Sequence, residues 1–420
     1  MKTKAVRIYG KNDLRLEEFE LPAMKDDEIL ARVVSDSICM SSHKAAEQGA
    51  DHKRVPKDIA TNPTIIGHEF CGVIESVGKK WAKEFKAGDK FSIQPALNYK
   101  GSLDAPGYSF RWIGGNATYV LIPSEVMEMG CLLKYDGEAF FYGSLAEPVS
   151  CIVGAFHAQY HTTGGSYAHR MGIVAGGSLA ILAGAGPMGL GAVDYAIHNP
   201  VKPKLLIVTD IDDARLNRAA EILPPAEAQK CGVELKYINT SKPEYNNEYL
   251  INLTAGLGYD DVFVFAPVKP VVEQGDKLLA RDGCLNFFAG PIDPAFSAAF
   301  NFYNVHYAST HIVGTSGGNT DDMKECLKMT ADGKINPAAM ITHVGGLNAA
   351  IDTTLNLPKI PGGKKLLYTH KNLPLTAIAD FEREGAANPF FKRLSEICKR
   401  HNNLWNLEAE QYLLVHAQNI

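Results

Sequence analysis

The sequence predicts an α/β protein in three parts: a mostly-β domain, a doubly wound parallel-sheet domain, and a helical C-terminal extension. Three observations predict it. The first part of the chain is a series of short strand-like runs separated by Gly, Pro, Asp and Asn. Beyond it, short and wholly apolar strands alternate with helical stretches, the pattern of a parallel sheet covered on both faces. The last fifty residues then place apolar side chains on one helical face.

A chain of 420 residues is too long for one ordinary core, so two domains, or one inserted in another, are expected. Its 46% hydrophobic and 21% charged residues are those of a globular enzyme. A formal net charge of −5, spread along the chain, gives no electrostatic reason to expect nucleic acid or an anionic membrane as partner. Met1–Arg7 lacks the apolar core of a signal peptide. The most apolar stretch, around Leu179–Gly191, is too short and too rich in Gly to span a bilayer. Eight cysteines without regular spacing read as reduced thiols, so a cytoplasmic location is expected.

In the first domain, expected over 1–151, Lys4–Ile8, Glu28–Ser35, Cys71–Val77 and Lys90–Gln94 read as strands. Residues 44–63 read as a polar insertion with a basic stretch. The second domain is expected over 152–305. Leu179–Ala183 and Leu205–Thr209 are buried strands there, each followed by a helix, Pro187–His198 and Asp213–Ile222. Asp261–Ala266 and Cys284–Ala289 continue the alternation. Residues 306–370 return to the first domain with strands at Thr310–Val313 and Lys365–Thr369 and a helix at Asp321–Ala331. In the extension, 371–420, Asn388-Pro389 caps a helix whose face carries Phe390, Phe391, Leu394, Ile397 and Cys398, and a second helix spans Leu407–His416. That apolar face must be buried on its own domain, over a cleft, or against a second subunit.

Gly184-Ala185-Gly186-Pro187-Met188-Gly189 lies between strand and helix. The first glycine permits the tight turn, the second lets backbone approach a pyrophosphate, and the third lets helix pack on sheet. The helix N-terminus offers N–H donors to the phosphates. Asp210 ends the next strand, 21 residues after Gly189, where a carboxylate holds ribose hydroxyls and repels a 2′-phosphate. NAD(H) is therefore expected, while the nearby Arg215 keeps NADP(H) open. Thr315, in a Gly-rich stretch after a strand, is a candidate to approach the nicotinamide. The plainer reading of the motif is a glycine turn that only packs tightly.

Cys39, His68 with Glu69, and Glu147 before Pro148 come from three separate stretches of the chain. Thiolate, imidazole and carboxylate suit a catalytic zinc that leaves one position for water or a substrate oxygen. Each alone has a plainer reading: a buried small hydrophobe, a hydrogen-bonded core histidine, a turn carboxylate. Together, beside a dinucleotide fold, they point to a metal site.

At these motifs the sequence resembles the zinc-containing medium-chain dehydrogenase/reductase family over roughly residues 1–370. Gly67-His68-Glu69-Phe70-Cys71-Gly72-Val73-Ile74-Glu75-Ser76-Val77-Gly78 carries the resemblance, with Gly88-Asp89-Lys90 and Gly114-Gly115-Asn116-Ala117-Thr118-Tyr119. It implies a GroES-like catalytic domain and a Rossmann cofactor domain. It also implies that Cys39 and His68 bind the catalytic zinc, that Glu69 is an exchangeable or supporting carboxylate, and that Ser41 relays a proton. Glu147-Pro148 resembles the polyol-dehydrogenase branch, where glutamate is the third ligand, directly or through water. Ser42 and Lys44 stand where members carry Asp and His, and His43 is one residue early. No cysteine lies between Asp89 and Gly114, so one catalytic zinc and no structural zinc are expected.

Wider resemblance, through Met1–Glu20, the run Cys39–His43 and the tail, implies reduction of a ketose phosphate and a homodimer or homotetramer. A phosphate needs cationic donors away from the metal; Lys44, Arg54 and Arg111, with His52 and Lys53, are the candidates, against the reading of a solvated basic loop. An unphosphorylated polyol or threonine-type alcohol is the alternative substrate. A non-catalytic nicotinamide-binding sensor is the alternative from another class. The expected partner is a small molecule, a sugar phosphate or polyol, with neither nucleic acid nor membrane.

Overall fold

In a computed structural model that describes residues 1–164 and 166–420, the elements that position the site run in chain order as follows. Strand β1 spans Ile29–Ile38, helix α1 Met40–Gln48, β2 Phe70–Val77 and α2 Phe140–Ala158. Then come β3 Ser178–Leu182, α3 Pro187–His198, β4 Leu205–Asp210, β5 Lys364–Tyr368, α4 Pro389–Arg400 and α5 Leu407–His416. Two units result. The first holds Met1–Glu147, Asn319–Ala331 and Ile341–Ile420, and the second Pro148–Gly318 and Asp332–Met340.

The first unit is built on an eight-stranded mixed sheet in which β5, β1 and β2 are adjacent and antiparallel. The centre of β1 and all of β5 are buried. Phe70, Phe91, Ile93, Val33 and Ile113 fill one core. A second core joins Val6, Ile38, Ala45, Val55, Ile59 and Tyr108. The stretch read as a polar insertion is thus anchored by Val55 and Ile59, with its charged residues on the outside of that anchor.

The second unit is a six-stranded, wholly parallel sheet in the order Glu234–Asn239, β4, β3, Tyr259–Val264, Leu279–Phe287 and His311–Gly314. Its strands bury Ala180, Leu182, Ile207, Val262, Val264 and Leu285, the apolar runs the alternation rests on. GroES-like and Rossmann-type units are therefore both present. The strand His311–Gly314 pairs with Leu279–Phe287 as the sixth of this sheet, so the chain leaves the second unit after Gly318. The sequence reading sets that return at residue 306.

The first crossing between units falls inside α2, a helix the sequence reading does not include. Its 19 residues contain Pro148, which argues for a break, and its apolar residues lie on nearly every side, so no single face shows as a period. The extension belongs to the first unit. Asn388 caps α4 as expected, and Phe391, Leu394, Ile397 and Cys398 are buried. Phe390 is half-buried and stacks on Tyr412 of α5 at 5.6 Å. Among the described residues no helix is long and apolar enough to cross a membrane.

Candidate metal centre

The end of β1, the start of α1 and the residues before β2 bring three ligand side chains together. One ligand atom each of Cys39, His68 and Glu69 lies within 4.8 Å of the others. Cys39 is the N-cap of α1, and its sulfur accepts the Ser41 N–H at 3.5 Å. The Ser41 hydroxyl stands 3.6 Å from the same sulfur. His68 is buried, its Nδ1 3.2 Å from the Ser42 hydroxyl and its Nε2 3.2 Å from the Tyr108 hydroxyl. Ser42 is thus the group that orients the imidazole, at the position where the resemblance leads one to expect Asp.

Glu69 is fully buried and held by three partners. Lys364 of β5 donates to both carboxylate oxygens, at 2.5 and 2.7 Å, and the Ser37 hydroxyl donates to Oε2. Its backbone N–H donates to Asp36 Oδ1 at 3.1 Å. Glu147, 8% exposed, lies on α2 outside the group of three, yet its charge acts on His68. Cys39 and Glu69 in turn act on Glu147. Two carboxylates therefore flank the thiol–imidazole pair, one tied to lysine and one not among those three.

Burial sets the direction of the protonation shift at Cys39, His68 and Glu147. It raises the Cys39 thiol, with Glu69 adding to the effect, and it lowers His68 despite Glu147 and Glu69. It pushes Glu147 up to about 7, against the pull of His68. Burial also opposes the Lys364 ammonium, but Glu69 and then Cys39 outweigh it and keep the amine charged. A neutral imidazole is ready to give its lone pair, while the thiol must release a proton to a metal. Sulfur, nitrogen and carboxylate oxygen at this spacing are the donor set of a zinc site with an open position.

Tyr108 is the residue that the sequence reading lacks. Its buried ring lies 4.8 Å from His68, 5.6 Å from His52, which stacks on it, and 5.6 Å from the Arg54 guanidinium carbon. Gly107 makes the approach possible: its φ is +80°, and a Cβ there would lie 1.9 Å from Gly67 O. The buried Arg54 Nε has no hydrogen-bond partner among the described residues. Burial, then Arg54 and Lys53, push His52 down to about 4, so it stays neutral at pH 7. Lys44 is part-buried close enough to feel Cys39 and Lys53. Lys44, His52, Lys53 and Arg54 thus act on one another, and Lys44 and Arg54 lie close enough to interact with Cys39 and His68. Arg111 does not join them; it is exposed, 4.9 Å over the Trp112 ring and near Arg7.

In the second unit the glycine turn joins β3 to α3. The left-handed φ falls on Ala183, at +53°, one residue before the glycine to which the tight turn was assigned. Gly184 is needed for space, since a Cβ there would lie 2.5 Å from Ile181 Cγ2. A Cβ on Gly189 would lie 2.1 Å from Gly184 O, whereas one on Gly186 would meet nothing within 4 Å, which leaves room for a phosphate. Pro187 is the first residue of α3, and the Leu190 N–H is the first to bond back, to Gly186 O at 2.9 Å. Met188 and Gly189 lie before it, with N–H groups available to an anion. Asp210 ends β4 and accepts the Ala185 N–H at 3.3 Å, tying it to the turn. Arg215 lies on the following helix, paired with Asp212 at 3.6 Å on the surface. Thr315 follows the strand His311–Gly314, and its buried Oγ1 has no hydrogen-bond partner among the described residues. This turn has the space and the donors that a dinucleotide requires.

Comparison with known proteins agrees with this geometry. The family model for the alcohol dehydrogenase GroES-like domain matches residues 25–130, and that for zinc-binding dehydrogenase matches 187–332. Mannitol-1-phosphate 5-dehydrogenase of Aliivibrio fischeri is 54% identical over 98% of this chain and 97% of its own. L-sorbose 1-phosphate reductase of Klebsiella pneumoniae is 53% identical over 100% of this chain and 98% of its own. The crystal structure of 2R,3R-butanediol dehydrogenase from Bacillus subtilis, 20% identical, shares the fold over 87% of this chain and 99% of its own, with a TM-score of 0.68. The chain belongs to the zinc-dependent medium-chain dehydrogenase/reductase family and is an oxidoreductase of the alcohol and polyol dehydrogenase kind.

Proposed function

We propose that this chain reduces a ketose phosphate, L-sorbose 1-phosphate to D-glucitol 6-phosphate, using one zinc ion and NAD(P)H. The observation that carries the phosphate is the cationic side of the metal group. Arg54 lies against Tyr108 with its buried Nε unpartnered, and Tyr108 touches His68. A sugar phosphate has its anion only a few bonds from its carbonyl, so a recognition site needs both features side by side.

Cys39, His68 and a carboxylate from Glu147 or Glu69 would hold the zinc. Zinc when bound supplies a Lewis acid for the carbonyl oxygen, and the nicotinamide supplies hydride. The protein's own groups do the rest. Ser41 Oγ would relay a proton to the reduced oxygen and take one back from solvent, and its place beside Cys39 at the start of α1 would keep it oriented. Ser42 fixes the His68 ring. Lys364 holds the Glu69 carboxylate in place through both of its oxygens. The α3 N-terminus and Asp210 hold the dinucleotide, Asp210 favouring NADH over NADPH.

The names of the two relatives support sugar or hexitol phosphates as a class, and mannitol 1-phosphate is the second reading within it. The test is kcat/KM of the zinc-loaded protein for sorbose 1-phosphate, mannitol 1-phosphate and the two unphosphorylated sugars. We expect the phosphate to raise it by at least tenfold. Equal values with and without phosphate would remove the role of the basic side and favour a free polyol.

A further inference from the structure

Helix α2 carries Glu147 two turns from its first residue, and both of those turns are tied down. Phe140 N–H donates to Glu410 Oε2 at 2.7 Å, and Phe141 N–H to Glu410 Oε1 at 2.9 Å. Glu410 lies on α5 of the C-terminal extension and is 1% exposed. It therefore satisfies two of the four N–H groups that open the helix, with its carboxyl oxygens at the positive end of the dipole. One turn further on, the Ser144 hydroxyl donates to Ser35 O of β1 at 3.0 Å. Glu147 comes next, in the direction of the metal group.

The carboxylate is itself fixed from β5. The Tyr368 hydroxyl donates to Glu410 Oε1 at 2.9 Å, and the indole N–H of Trp405, 1% exposed, donates to Tyr368 Oη at 2.7 Å. Residues 364 and 368 share one face of β5, because side chains alternate along a strand. The same face thus grips Glu69 through Lys364 and Glu410 through Tyr368. A solvent-exposed cap would serve the helix equally well. A carboxylate inserted from 270 residues away, and fully buried, serves to fix where the helix starts.

We propose that Glu410 is a positioning residue for the metal centre: it sets the start and register of α2 and so the reach of Glu147, giving the C-terminal extension a direct part in the chemistry. This rests on the reading of Cys39, His68 and Glu147 as metal ligands. The test replaces zinc with Co²⁺ and records the visible d–d spectrum, together with metal retention against a competing chelator, for wild type, Glu410→Ala, Glu410→Gln and Glu147→Ala. Glu410→Ala is expected to shift the cobalt bands and to weaken metal retention by about 10- to 100-fold, the usual effect of losing a support behind a ligand. Glu410→Gln, which keeps one acceptor oxygen for one helix N–H, should fall between it and wild type, and it carries the test if the alanine variant does not fold. NADH binding should be unchanged in all of them.

Wild-type spectra and retention in the folded Glu410 variants, with a changed Glu147→Ala, would overturn this inference alone. Wild-type behaviour in Glu147→Ala as well would overturn it together with the ligand role of Glu147.

Discussion

Replacing Arg54 with methionine tests the phosphate site most sharply, because the change removes the guanidinium and little else. The loop around it is held by backbone: Arg54 N–H donates to His52 Nδ1 at 3.3 Å, and Arg54 O accepts the Ser109 hydroxyl at 2.7 Å. Both survive the substitution, and the methionine stem can still lie on Tyr108. A hydrogen bond from a charged donor is worth about 1.5–3 kcal/mol, and about 1.4 kcal/mol is a factor of ten. The buried Nε places Arg54 at the upper part of that range once a phosphate is bound. A loss of about 10- to 100-fold in kcat/KM is therefore expected for the phosphorylated substrate. With unphosphorylated sorbose the same variant should match wild type. Steady-state assays following NADH at 340 nm measure both. Equal losses on the two substrates would mean that Arg54 supports the metal group through Tyr108, and no loss on either would refute its role.

Two further outcomes follow from the geometry. Asp210→Ala should relax the preference for NADH over NADPH by about tenfold, the scale of one charged contact; competition binding of the two cofactors measures it, and an unchanged ratio removes Asp210 from its role. Glu410 gives a pH dependence of known sign. Burial pushes its carboxyl up to about 7 from 4.5, although Tyr368 and the Phe140 and Phe141 N–H groups oppose the rise. The folded state thus binds the proton more tightly than the unfolded state, so this group's contribution to stability is greatest below pH 4.5 and falls as pH rises through 7. The difference in unfolding free energy between wild type and Glu410→Gln should fall by about 3 kcal/mol over that window. Urea unfolding at several pH values checks it, and a difference that grows with pH would mean that the hydrogen bonds outweigh burial.

Much of this was legible in the sequence because local patterns and tertiary demands agree. The runs around Leu179, Pro187 and Leu205 became β3, α3 and β4, since a strand buried on both faces and a helix opened by glycine and proline each announce themselves locally. Cys39, His68 and Glu69 lie together, with Glu69 in the place among the three that the sequence reading gave to Glu147, which lies outside that group. What the sequence hid was held by distant partners. Tyr108 stands in a loop with no motif, and only the fold brings its ring to His68. Lys364 stands just before the strand read at Lys365–Thr369; its pairing with Glu69, 295 residues away, leaves no local trace. Helix α2 escaped notice because Pro148 suggests a stop and burial on nearly every side erases the helical period. Glu410 looks like an ordinary surface glutamate until α5 is packed against β5.

Metal content of the purified protein, measured by mass spectrometry alongside NADH binding, tests the central claim most directly. Wild type should carry one zinc per chain, and Cys39→Ala and His68→Ala should lose the metal and turnover while binding NADH as wild type does. A Cys39→Ala protein that keeps its zinc, or that loses NADH binding with it, would contradict the account.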